Sequence, residues 1–288
     1  MNAARPGPVR VDGEVLGVKR QSGHLHLSLV APGVPERFRP GTFLAVAVGG
    51  ALSDRCLRRG LPIHRVRPSA YGGTVEVVFE ADEPGTSWLA ALPAGSSLDV
   101  LGPLGRPFAL PKEPVSCLLV GHGAATAPLF SLADRLRERG CPVHMLLAGP
   151  DERSLFGALE ARRAAKTVQV VTADGSVGHR GAVSDVLPEV LTRTTADVVY
   201  ASGPAPVLHA VAAAAERHGA WSQTAVPPPV GCGTGVCRGC ALPVVGEDGV
   251  TRMVRACTEG PVFRGDRVRW EDIGTVPDGT LGAEEVPR

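Results

Sequence analysis

The sequence is short of several things, and each shortage closes off a class of function. Neither sign of charge is in excess: 30 basic residues stand against 29 acidic ones, a net +1 in 288 residues. The arginines are scattered rather than striped along one face, so there is no electrostatic footprint for nucleic acid. No run of eighteen apolar residues occurs, and no membrane-spanning helix is expected. The opening stretch, MNAARPGPVRVDGEV, lacks the apolar core of a secretory leader. A cytoplasmic, reducing location is the resulting expectation, and structural disulfides are rare there. No Ser-His-Asp constellation or nucleophile elbow is present, and the turn GHGA at 121–124 has no serine, which speaks against a serine hydrolase. Internal repeats are also missing. Aromatic residues are scarce at 4%, a skew that carries little weight because the 44% hydrophobic fraction supports real cores.

What is present falls into three patterns. From residue 10 to about 110, VRVDGEVLGVKR, GHLHLSLVAP, GTFLAVAVGG and GTVEVVFEA read as short alternating strands between Gly- and Pro-rich turns. Such spacing predicts an antiparallel barrel or sandwich. After about residue 115, apolar strands alternate with helices: VSCLLVGHG, TAPLFSLADRLRERG, PVHMLLAGP, RSLFGALEARRAA, VQVVTADG, AVSDVLPEVL, ADVVYASGP and APVLHAVAAAAERHG. That alternation predicts a parallel sheet covered on both faces. Its ligands would sit at the strand carboxyl ends, where GHGA, AGP, TADG and SGP fall. The proline run at 227–229 then opens a cysteine-rich third unit, and the C-terminal residues read as a loose tail. The expected division is 9–111, 112–224, 225–271 and a tail of 272–288.

Four of the seven cysteines are clustered: Cys232, Cys237, Cys240 and Cys257, spaced C-x4-C-x2-C-x16-C. Cys56, Cys117 and Cys141 are dispersed, and Cys117 reads as an ordinary buried thiol. Zinc sites usually pair one C-x2-C with another or with histidines. Here there is one C-x2-C and no histidine after His218. The x4-x2 spacing is that of plant-type 2Fe–2S ferredoxins, with zinc as the alternative. Gly231, Gly233, Gly235 and Gly239 let a loop curl around a small cluster and aim its N–H groups at sulfur. A site closed by four thiolates carries electrons rather than substrate.

In this order the chain resembles the electron-transfer subunits of class 1B dihydroorotate dehydrogenases, within the ferredoxin-reductase superfamily. The resemblance runs from about residue 10 to 270. It rests on LRRGLPI (57–63), EPGTSWL (83–89), LGPLGRPF (101–108), LVGHGAATAPL (119–129), ADGSVGHRGAVSDVL (173–187), YASGPAPVLHAV (200–211) and the cysteine motif. It implies a multi-domain α/β plus β architecture: an FAD-binding barrel of ferredoxin-reductase type, a Rossmann-like NAD-binding domain and a small C-terminal 2Fe–2S domain. The implied activity is that of an oxidoreductase subunit. NAD(P)H gives hydride to FAD, and the cluster passes electrons to an FMN-containing dihydroorotate dehydrogenase in a hetero-oligomer.

Carried over residue by residue, the flavin motif falls on Arg59, Gly60, Leu61 and Pro62, and a second flavin stretch on Val78, Phe79 and Glu80. Gly85 and Thr86 match a phosphate-holding turn, while Gly121, Gly123, Gly203 and Thr172 mark the nicotinamide side. Arg59 is a guanidinium fork suited to the FAD diphosphate. Several positions depart from the family pattern. Pro62 stands where a hydroxyl is usual, Glu80 where an arginine is, Ala125 for a glycine and Ser202 for a cysteine. They bear more on nicotinamide use than on flavin or cluster binding. His122 is read as a loop residue shaping the pocket. Two other roles stay open: a reductase serving another redox enzyme, and a cluster-bearing protein that has lost nicotinamide use.

Overall fold

The computed structural model describes residues 7–50, 53, 57–67, 73–227 and 231–283; Cys56, Pro228 and Pro229 lie outside the described residues. Strands β1 (Val9–Gln21), β2 (His24–Val30), β3 (Phe43–Val46), β4 (Arg59–Arg67), β5 (Thr74–Phe79) and β6 (Ser97–Leu104) close a barrel in the order β1-β2-β5-β4-β3-β6. Every pairing in it is antiparallel. In β2, Leu25, Leu27 and Leu29 enter the core and alternate with the less buried His26 and Ser28, the period of two that a half-buried strand requires. Helix α1 (Pro84–Ala90) follows β5 and sends Leu89 into the same core.

The second unit runs β7 (Cys117–His122), α2 (Ala127–Glu138), β8 (Val143–Gly149), α3 (Ala158–Ala164), β9 (Thr167–Thr172), β10 (His179–Arg180), α4 (Val183–Thr194), β11 (Val198–Ser202), α5 (Ala205–His218) and β12 (Trp221–Ala225). Its middle strands are buried on both faces. Leu119, Met145, Leu147 and Tyr200 pack beneath α2 and α3, while Leu118, Val120, Leu146 and Val199 pack beneath α4 and α5. The strands order as β10-β9-β8-β7-β11-β12, all parallel, so the strand order reverses between β7 and β11. A crevice at that reversal is where an open α/β sheet takes its ligand.

One helix is shorter than its sequence pattern. The stretch RSLFGALEARRAA is helical only from Ala158. Asp151 Oδ1 accepts from Ser154 N at 2.8 Å and holds a separate 3-10 turn, Glu152–Ser154. Gly157 then turns left-handed, at φ 72°, and leaves Phe156 free to plug the seam between the two units.

The third unit holds a hairpin, β13 (Ala241–Val245) and β14 (Thr251–Arg255), then α6 (Ala256–Glu259) and β15 (Val262–Arg264). The last of these does not stay in its own unit: β15 adds antiparallel to β12 as the edge of the large sheet. The described part of the tail lies back on the hairpin, with Thr280 buried and Leu281 N donating to Thr251 O at 2.9 Å.

The barrel and the sheet meet along a polar seam. Arg65 of β4 reaches Asp134 of α2 at 2.8 Å and also pairs with Glu160 of α3. His64 Nδ1 lies 2.8 Å from the Ala127 carbonyl. Burial pushes the His64 pKa down, against the opposing pull of Ala127, Glu160 and Glu76. His122 and His144 are lowered by burial as well. A histidine lowered on folding contributes stability above its unfolded pKa of about 6.5, and that contribution is lost as pH falls towards the folded value. Melting temperature is therefore expected to fall between pH 7.5 and 5.5, with a shallower slope in His64→Gln, as scanning calorimetry would measure. An equal slope in the variant would remove His64 from the account.

Candidate functional site

The ends of β4 and β5, the start of α1 and the loops after β7 and β11 enclose a cavity of about 530 Å³. Of the residues singled out in the sequence, Arg59, Gly60, Leu61, Pro62, Val78, Phe79, Glu80, Thr86 and Gly123 line it. Gly85, Gly121 and Gly203 lie just behind the wall. A Cβ on Gly85 would come within 2.6 Å of the Arg59 guanidinium, so only a bare backbone lets that fork lie across the turn. A Cβ on Gly203 would crowd His122, and one on Gly121 would collide with Thr126. Thr172 is fully buried and is not among the cavity-lining residues.

The charged groups of the cavity are already engaged with one another. Arg59 forks onto Glu83: Nη2 donates to Oε2 at 2.8 Å, and Nε donates to Oε1. Thr86 Oγ1 accepts from Glu83 N at 3.3 Å and donates to Asp82 Oδ1 at 3.2 Å. Glu80 stands 3.3 Å from His24 Nε2, at ion-pair distance. The Glu80 carboxyl is held below its ordinary range by His24 first, then by His122 and the Ala124 amide, against burial. Glu83 and His24 were not picked out from sequence. Glu83 had a local signal, since it directly precedes the matched Pro-Gly-Thr turn; His24 had none, because its partner is 56 residues away.

The four clustered cysteines converge on the other side of β3. Cys240 and Cys257 Sγ atoms are 3.3 Å apart. Cys232 Sγ accepts backbone N–H groups from Thr234 at 3.3 Å and Cys237 at 3.4 Å, and Cys237 Sγ accepts from Cys232 N at 3.5 Å. Burial raises the Cys232 pKa, but those hydrogen bonds outweigh it and bring the thiol down to about 6. Burial and then the Cys240 contact push Cys257 up to about 12. Among the described residues, no group of His, Cys, Asp or Glu is arranged to hold a single metal ion. The sulfurs form two pairs, each contributing two thiolates, and amide donors are already aimed at them. This donor set fits a two-iron, four-thiolate cluster.

The loop is pressed onto the barrel. Gly231 N donates to Arg58 O at 3.2 Å. Gly233 has φ 73°, and a Cβ there would meet Ala45 at 2.8 Å and Leu104 at 2.9 Å. Phe43, Ala45, Leu104, Cys240, Ala256 and Cys257 form one apolar cluster, and Phe43 also lines the cavity. Cavity and cysteine cage thus share a wall.

Comparison with known proteins agrees with this arrangement. Residues 229–269 match the family model described as the iron-sulfur cluster binding domain of dihydroorotate dehydrogenase B. The chain is 36% identical to the dihydroorotate dehydrogenase B (NAD(+)) electron transfer subunit of Bacillus velezensis, covering 80% of this chain and 86% of that one. It is 29% identical to the subunit of the same name from Desulforamulus reducens, covering 90% and 98%. Among solved structures it is similar to a chain of the NADH-dependent reduced ferredoxin-NADP oxidoreductase of flavin-based electron bifurcation. The TM-score is 0.76 at 25% identity, over 94% of this chain and 92% of that one. A ferredoxin NADP+ reductase from Neisseria gonorrhoeae shares the fold, with a TM-score of 0.59 at 14% identity over 76% and 93%. Barrel, sheet and cysteine unit in this order, matched along most of the length of such relatives, mean that the chain belongs to the family of dihydroorotate dehydrogenase B electron transfer subunits.

Proposed function

We propose that the chain moves electrons from a reduced nicotinamide, by way of FAD in the cavity and a 2Fe–2S cluster in the cysteine cage, to an FMN-containing dihydroorotate dehydrogenase catalytic subunit. The single observation that carries this reading is the shared wall. Phe43 faces both sites, and Arg58, which holds the cage loop, is followed by Arg59 in the cavity. FAD accepts two electrons as hydride and the cluster takes them one at a time, which makes such a chain a converter.

The residues divide the work. Arg59, Gly85 and Thr86 hold the diphosphate, while Gly60, Leu61, Pro62, Val78 and Phe79 wall the ring. Gly121, Gly123 and Gly203 open the strand-end crevice to the nicotinamide. Cys232, Cys237, Cys240 and Cys257 hold the cluster, and their amide donors stabilise charge on sulfur. The units 9–111, 112–224 and 225–271 serve flavin, nicotinamide and cluster in turn, although β15 of the third completes the sheet of the second. No helix among the described residues is long and apolar enough to cross a membrane. A cytoplasmic place beside the catalytic subunit, in a hetero-oligomer, goes with this reading.

Anaerobic purification tests it. Flavin and iron–sulfide absorbance, bleaching on NADH addition and co-purification of a dihydroorotate dehydrogenase chain are expected. A folded protein without either chromophore would end the proposal. A second reading is favoured by the acidic lining, in which, among the described residues, Glu80, Asp82 and Glu83 oppose Arg59, and by the methyl of Ala125 in the crevice. In that reading another redox enzyme or another donor is served. Flavin that NADH fails to bleach, or a different co-purifying oxidoreductase, would support it.

A further inference from the structure

Hydride brings two electrons and one proton into the cavity, and a four-thiolate cage takes only the electrons. For each hydride delivered, one proton is left behind and has to reach water. Most of the cavity cannot receive it. Leu61, Pro62, Val78, Phe79, Pro128 and Pro204 offer no acceptor atom on their side chains. Arg59 and Glu83 neutralise each other, and Asp82 is exposed at the rim and engaged with Thr86.

Among the described lining residues two titratable groups remain, one from each side of the seam. His122 ends β7 and lines the cavity from the sheet. Glu80 follows β5 and lines it from the barrel, backed by His24 at 3.3 Å. The loop carrying His122 comes close to Glu80: a Cβ placed on Gly123 would be 3.8 Å from Glu80 Oε1. From the ends of β8 and β11 the cavity sees only Pro150, Ser154, Ser202 and Pro204, none of them a proton acceptor at neutral pH.

We propose that His122 is the proton acceptor of the cavity and that Glu80, braced by His24, is the positioning residue that stabilises its imidazolium form. With FAD and the cluster bound, H⁻ would divide into two electrons, which would leave through the cage, and H⁺, which would bond to an imidazole nitrogen of His122 and pass to solvent along the exposed Glu80 edge. The sign of the charge at position 80 suits this role. A guanidinium there would repel the imidazolium, whereas a carboxylate supports it. The physical state of the pair is suited to the task. Burial lowers the His122 pKa while Glu80 raises it, so the ring is neutral and ready to accept at neutral pH.

This inference rests on the proposed electron route, and its test separates the two. In the flavin-free chain, NMR titration of labelled histidine is expected to show the His122 pKa falling by about one unit in Glu80→Gln and recovering in Glu80→Asp. In the loaded chain, stopped-flow reduction by NADH is expected to show cluster reduction slowed by about 100-fold in His122→Gln, with its pH dependence and solvent isotope effect lost. A His122 titration identical in wild type and Glu80→Gln overturns the role given to Glu80. Unchanged kinetics and pH profile in a flavin-bearing His122→Gln chain overturn the relay while leaving the electron route intact. A chain that takes up no flavin removes both.

Discussion

Cys257→Ser is expected to yield a chain whose barrel still takes up flavin but whose iron content falls by about tenfold or more. Cys257 is the only one of the four clustered cysteines outside the loop, and it closes the cage from α6. It is 2% exposed and packed against Cys240, Ala256 and Phe43, so no surface residue can take its place. Metal binding in such a unit is also folding free energy, added to the packing of the loop on the barrel. Iron and sulfide assays beside the flavin absorbance measure the outcome. Cys141→Ser is the control: Cys141 is buried beside Cys117 in the sheet's own core, and its loss should leave the iron content unchanged. Full iron in Cys257→Ser would mean that the fourth ligand lies elsewhere.

Arg59→Ala is expected to weaken FAD binding by about 100-fold or more. A two-pronged charged contact with a diphosphate contributes about 3 kcal/mol, taking about 1.5 for each hydrogen bond to a charged group, and about 1.4 kcal/mol is tenfold in affinity. Arg59→Lys should recover only part of this, because an ammonium cannot make the fork. Glu83 gives the sharper contrast. It now occupies the fork that a diphosphate would use, so Glu83→Gln should tighten FAD binding where Arg59→Ala loosens it. Equilibrium titration of the apoprotein with FAD reads both. Equal affinities in wild type and Arg59→Ala would place the diphosphate away from β4.

How far the site was legible in the sequence follows from the range of each signal. The barrel and the sheet were legible because periods of two and near-continuous apolar runs are local, as in HLHLSLV and CLLVGH. The cage was legible because ligand spacing is a property of one loop, and only Cys257 had to be added from a distance. Glu80 was legible as an anomaly but not as a partner. Nothing near it in the chain announces His24 or His122, which the barrel register and the β7 turn bring together. The start of α3 failed for a different reason. Propensity over RSLFGALEARRAA is helical throughout, yet one left-handed glycine and the Asp151 cap, each a single-residue effect, break it. The joining of β15 to β12 had no sequence signal at all, since three residues carry no period.

That last pairing ties the fate of the cofactor to the hazard of self-association. β12 would be an open edge of a parallel sheet, with a row of unpaired amides facing water. What covers it is a three-residue strand only five residues beyond Cys257 in the chain. Two supports outside the sheet hold that strand in place: Val226 N donates to Pro261 O at 3.0 Å, and Arg106 N donates to Gly260 O at 2.6 Å. Loss of the iron would cost α6 an anchor, and β15 is the strand that follows it directly in the chain. Damage to the cluster would then be seen first as chains sticking edge to edge, before any failure of the barrel, and protein handled in air should be judged by its state of aggregation as much as by its colour.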